Sequence, residues 1–204
     1  MSERVVSETP LGVAESTTTP AEWAPAVDAR VTRTGMRIFV GADAFFFFAF
    51  FFAFFYLRSM NNNYSWLPAG TTHPTREIGA LIEGLAILIA VFYMAALRRV
   101  SVSRTMLWLA LVAGILYLGA QVYEFRNLGF DPQQGGGYPS VFVGFKGVIM
   151  VQTAGALLWL GTLIAQSRPA GDLMIRRATA ASFSMFLWFL AGVGLLAYLV
   201  MYFV

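Results

Sequence analysis

The chain has 204 residues, of which 58% are hydrophobic and only 12% charged, with a formal net charge of +3. That much apolar surface exceeds what a soluble core of this size can hide, so the composition points to a membrane protein. The basic residues stand at the ends of apolar segments rather than in one patch, which argues against nucleic acid. The absence of cysteine excludes disulfides, thiolate metal sites and cysteine nucleophiles, and one histidine is too few for a haem or copper centre held by this chain alone.

Residues 1–33 ("SETPLGVAESTTTPAEWAP") are rich in Thr, Ala, Pro and Glu and lack helical periodicity, so they read as a flexible tail. The tail has no apolar h-region, and its acids (Glu3, Glu8, Glu15, Glu22, Asp28) are foreign to a transit peptide. Five apolar stretches follow, at about 36–57, 78–97, 105–123, 141–166 and 178–204. Each approaches or exceeds the ~20 residues that cross a bilayer as a helix. A barrel strand is about half as long and alternates, so an all-α bundle of five spans, residues 34–204, is expected. The "FDPQQGGGYP" stretch breaks helix before the fourth span, and its glycine run is a loop, since no P-loop lysine follows.

Nine arginines (Arg30, Arg33, Arg37, Arg98, Arg99, Arg104, Arg168, Arg176, Arg177) fall on one side of the spans. Arg58, Arg76, Arg126 and Lys146 fall on the other, which predicts a cytoplasmic N-terminus and an outside C-terminus. Tyr64, Trp66, Trp108, Tyr123, Tyr138, Tyr198 and Tyr202 lie near span ends, as an interfacial aromatic belt does.

The first span, "GADAFFFFAFFFAFFYLRS", carries nine phenylalanines between Phe45 and Phe55, with Asp43 at its head. Steps of three and four stack Asp43 beneath Phe47, Phe50 and Phe54. Ala42, Ala49 and Ala53 form a small-residue stripe beside it, where another helix is expected to pack. Glu83 lies within a second stripe, Gly79, Ala86 and Ala90. The third span lines Ala110, Gly114, Tyr117, Gln121 and Glu124 along one face, and the fourth carries Lys146, Gln152 and Thr153 among Gly144, Gly147 and Gly155.

Charged groups inside a membrane cost ~3 kcal/mol or more and normally face protein or water. Asp43 and Glu83 therefore read either as lipid- or proton-related sites or as packing polar groups. Glu124 and Lys146 read as interfacial, snorkelling or structurally paired. His73, in "GTTHPT", reads as a solvated loop residue. Counted at ~1.5 Å per residue, Asp43 lies about 10 Å inside its helix end, Glu83 nearer the opposite surface, and Glu124 and Lys146 close to that surface, so no tight cluster of the four is expected.

Several segments together resemble subunit III of the haem-copper oxidases, in the five-helix bacterial form. "GADAFFFFAFFFAFFYLR" is similar to the family's Ser-Glu and aromatic run, with Asp43 at the glutamate. "LGAQVYEF" carries the Gln-x-x-Glu-aromatic signature as Gln121 and Glu124. "GGYPSVFVGFKGVIM" resembles the glycine-phenylalanine-histidine-glycine stretch, and "FLWFLAGVGLLAYLVMYFV" the closing span. The likeness runs in order over residues 36–204. It departs at Lys146 and Ile149, where the family has histidines, and in "HPTREIGALIEGLAIL", which adds Glu83 and lacks the usual Asn-Thr and serines.

The resemblance implies an accessory subunit without cofactor of its own, in a complex whose partner subunits hold haem and copper. It implies bound phospholipid, with Asp43 in the lipid-cleft region, and support of proton uptake. It also implies location in a bacterial cytoplasmic membrane. Expected partners are catalytic subunit I and subunit II, with a small subunit IV and a respiratory supercomplex as further candidates. Seven-helix relatives wall the cleft with two extra N-terminal helices, so a partner chain is expected to supply that wall here. A small proton-coupled transporter using Asp43 and Glu83 is the alternative, although no internal repeat is visible. An intramembrane enzyme fits poorly, with no cysteine and a lone loop histidine.

Overall fold

The computed structural model describes residues 20–61, 66–67, 70, 72–97, 104–130, 136–166 and 173–203. Five helices make up the fold: α1 (Pro20–Ser59), α2 (Arg76–Leu97), α3 (Arg104–Arg126), α4 (Gly137–Gln166) and α5 (Leu173–Phe203). All five are long and apolar enough to cross a membrane, and no strand occurs among the described residues. The chain is an all-helical, multi-pass membrane protein.

Span limits follow the sequence reading within a few residues, except at α1. The boundary expected at residue 33 falls inside a continuous helix that opens at Pro20. Proline is well placed at a helix start, where its fixed φ fits and its missing N–H would have had no partner. The alanines, Glu22, Arg30 and Arg33 that follow favour helix, which outweighs the polar composition read as a tail. The rest of that tail, 1–19, lies outside the described residues, as does Tyr64.

Helix α1 packs on α4 and α5, α2 packs on α3 and α5, and α3 also meets α4. Helices α2–α5 therefore surround a common interior, and α1 lies against its flank. The face by which α1 docks is Met36, Asp43, Phe47 and Phe54, all buried. Phe145, wholly buried on α4, meets Phe47, Phe50 and Phe51 with ring centroids 5.2, 5.6 and 5.1 Å away. Tilted and edge-on aromatic packing of this kind adds to area burial.

The small-residue stripe of α1 does not pack as expected. Ala42 and Ala49 are exposed and Ala53 is half-buried. Small side chains permit close approach of a helix, but inside this chain the large rings of the adjacent face take α4 and α5 instead. The stripe on α2 does pack: Gly79 and Ala90 are buried and Ala86 half-buried. A Cβ at Gly79 would stand 2.7 Å from Tyr202 Cε1 and 2.9 Å from Tyr198 Cδ2, so glycine is what lets α5 close on α2.

One end of the bundle is closed by its loops. Tyr138 N–H donates to Trp66 O at 2.9 Å, and Thr72 N–H donates to Gly129 O at 3.1 Å. Trp66 N–H is held by Asn61 Oδ1 at 3.0 Å. The Trp66 ring stands edge-on to Phe54, 4.9 Å between centroids, and to Tyr138 at 5.7 Å. Gly136 makes the turn into α4 at φ 111, a conformation that side chains rarely adopt. His73 is exposed, as read from the sequence, with its ring edge-on to Tyr138 at 5.0 Å.

Candidate functional site

Helices α2, α3, α4 and α5 bring Glu83, Glu124, Lys146 and Tyr202 together inside the bundle. Lys146 Nζ lies 3.4 Å from Glu124 Oε2 and 3.8 Å from Glu83 Oε1, with side chains no more than 5% exposed. Tyr202 O–H donates to Glu124 Oε1. The ammonium also stands 5.2 Å from the centre of the Tyr202 ring and 5.8 Å from that of Phe142, where the negative π faces favour a cation. Gln121 Nε2 donates to Tyr117 Oη at 2.8 Å, and Tyr117 also pairs with the Thr153 hydroxyl.

The four charged residues do not form one cluster, since Asp43 stays apart, but Glu83, Glu124 and Lys146 meet although their depths along the helices differ. From their helix ends near Trp66, Glu124 lies about 3 Å in, Glu83 about 10 Å and Lys146 about 14 Å, at 1.5 Å per residue. Side chains close that gap because they tilt toward the N-terminus of their own helix. On α4 that direction carries Lys146 back toward the Trp66 end. On the antiparallel α3 it carries Glu124 deeper. The long lysine then reaches both carboxylates. Neither Glu124 nor Lys146 snorkels to an interface, since both are buried inside protein.

Asp43 is not part of the cluster, because α1 touches neither α2 nor α3 among the described residues. Its Oδ1 instead accepts from Gln152 Nε2 at 2.7 Å, a polar bridge between α1 and α4 in apolar surroundings. Asp43 Oδ2 and Gln152 Oε1 have no hydrogen-bond partner. The structure thus divides the sequence candidates into two polar sites. Glu83, Gln121, Glu124, Lys146 and Thr153 go to one, and Asp43 goes to the other. Gly79, Ala86 and Ala90 supply packing for α2, while Ala42, Ala49 and Ala53 face outward or sideways on α1.

The sequence places Tyr202 and Tyr138 with the interfacial aromatics, but both are buried: Tyr202 joins the cluster, and Tyr138 O–H donates to Met201 O at 3.0 Å. Gly194 carried no reading at all. A Cβ there would collide with Glu83 Oε2, so this glycine makes the space for the carboxylate. The signal was present as "GVG" in the middle of α5, where glycine otherwise lowers helix stability.

The sequence matches no protein-family model, and no curated protein matches it. Among the described residues no group of three or more His, Asp or Glu side chains is placed to hold a metal ion. What the main cluster offers chemically is two carboxylates, one ammonium and phenolic hydroxyls in a buried interior. Such groups bind or pass protons and brace helices.

Proposed function

We propose that this chain is a non-catalytic accessory subunit of a proton-pumping terminal oxidase, of the kind its motifs resemble, set in a bacterial cytoplasmic membrane. One observation supports the reading above the rest. Gln121 and Glu124 from the third-span motif, and Lys146 at the family histidine position of the fourth, lie in one buried cluster that joins two helices. In this role the chain braces catalytic subunit I and subunit II, binds phospholipid near Asp43 and supports proton uptake. Haem and copper reside on the partners. The outward face of α1, with Ala42 and Ala49, is the surface offered to a neighbouring chain. The arginine count orients the N-terminus to the cytoplasm, and a C-terminal tag is then labelled from outside intact cells.

Purification in mild detergent, followed by a visible spectrum and subunit mass spectrometry, tests the assignment. Haem-bearing chains are expected to accompany this one. Recovery alone or as a homo-oligomer would favour the other reading, a small proton-coupled carrier. That alternative draws on the burial of both Asp43 and Glu83. Within the oxidase reading, Asp43→Asn keeps an acceptor for Gln152 and removes the charge. Assembly is expected to survive while lipid retention or sustained turnover falls. Lipid content and turnover time-courses equal to wild type would end the lipid role of Asp43.

A further inference from the structure

The charges in the main cluster do not cancel. Two carboxylates face one ammonium, and among the described residues Lys146 is the cation within ion-pair distance of either acid. A net charge held in a lipid-embedded interior is costly, and a buried ion group is sustained only when paired and hydrogen-bonded. Hydrogen bonding is incomplete on both sides: Glu83 Oε2, Glu124 Oε2 and Gln121 Oε1 are buried acceptors without donors, and the Lys146 ammonium, although within ion-pair distance of both acids, makes no hydrogen bond. Gln121 is wholly buried on the same face of α3 as Glu124, bonded to the Tyr117 hydroxyl that faces both acids. The site is short of positive charge, with two carboxylates around one ammonium, and one proton on a carboxylate supplies it.

The two acids are not equivalent. Glu124 receives the Tyr202 hydroxyl and stands nearer the ammonium, at 3.4 Å. Glu83 is 3.8 Å from it, and its other oxygen backs on Gly194, which has no side chain to donate. The groups facing Glu83 are Glu124 and Tyr117 from α3, Lys146 from α4 and Tyr202 from α5. The anion is best supported on Glu124.

We propose that the Glu83–Lys146–Glu124 cluster is a proton-binding site, holding one exchangeable proton on Glu83. The assignment is independent of the oxidase reading, since it concerns only side chains of this chain. With the proton bound, the cluster is neutral: Glu124 is paired with Lys146, and the Glu83 carboxyl can donate to a buried acceptor. Releasing the proton leaves one uncompensated negative charge between four helices.

Infrared difference spectroscopy on the full chain in lipid nanodiscs, titrated with pH, tests this. Wild type is expected to show the C=O stretch of about one protonated carboxylic acid per chain, and carbon-13 labelling of glutamate is expected to move it. Asp43→Asn should leave it in place. Glu83→Gln is expected to abolish the band, and so is Glu124→Gln, because in each variant the remaining carboxylate pairs with Lys146. Tyr202→Phe, which removes the donor on Glu124, should leave the band position unchanged. Absence of a glutamic-acid band in wild type at every pH at which the helices persist would overturn the proposal without recourse to any variant. Persistence of the band in both glutamine variants would do the same. A band displaced by Tyr202→Phe would move the proton to Glu124 and overturn its assignment to Glu83.

Discussion

Lys146→Met is expected to lower the unfolding free energy by about 3–5 kcal/mol, the cost of removing one partner from a buried ion group. The lysine is wholly buried, and its ammonium is shared between two carboxylates at 3.4 and 3.8 Å. Methionine keeps the apolar stem and is one atom shorter, so the loss reports the charge more than the packing. Tyr202→Phe removes only a hydroxyl and should cost far less, about 0.5–1.5 kcal/mol. The triple variant Lys146→Met, Glu83→Gln, Glu124→Gln should recover most of the loss, since it removes the charges together. Reversible unfolding in mixed micelles measures all three. A Lys146→Met loss below about 1 kcal/mol, inside the range of an ordinary hydrogen bond, would mean that the ammonium does not hold the two acids.

The second large effect is expected at Gly79. A methyl group there would stand 2.7 and 2.8 Å from Tyr202 Cε1 and Cζ and 2.9 Å from Tyr198 Cδ2, closer than carbon atoms pack. An aromatic ring cannot yield by a local bond rotation as a leucine tip can. Tyr202 is further tied by its hydrogen bond to Glu124, and Arg76 Nε donates to its carbonyl at 3.2 Å. Gly79→Ala should therefore push α5 off α2 and destabilise by about 1–3 kcal/mol, the usual range for overpacking. Gly84→Ala, five residues along the same helix, meets nothing within 4 Å. There the better helix propensity of alanine should raise stability by up to about 1 kcal/mol. Equal effects at the two glycines would show that Gly79 is not a contact point.

The two variants also separate what residues declare locally from what contacts decide. Gly79 and Ala90 read as a packing stripe and pack as one, because α5 happens to lie there. Ala42 and Ala49 read the same way and face outward. A row of small side chains says where a helix can come close, and nothing in the row says whether a neighbour exists. On α1 the decision went to the phenylalanine face, where Phe47, Phe50 and Phe51 surround Phe145 and Phe54 stands against Trp66. Part of the phenylalanine run thus forms the docking face, while Phe45 and Phe48 remain exposed.

The number of spans, their lengths and the loop glycines are short-range properties. Hydropathy over ~20 residues and the steric rules of proline and glycine act within one segment, so the residues alone carried them. The polar faces of α2, α3 and α4 were legible for the same reason, as repeats of three and four. The meeting of Glu83, Glu124 and Lys146, and the separation of Asp43 from them, was not. It depends on the direction in which each helix runs, on the tilt of side chains toward the N-terminus, and on α1 lying outside the group formed by α2–α5. Those are relations between helices, and a linear pattern does not specify which helices touch.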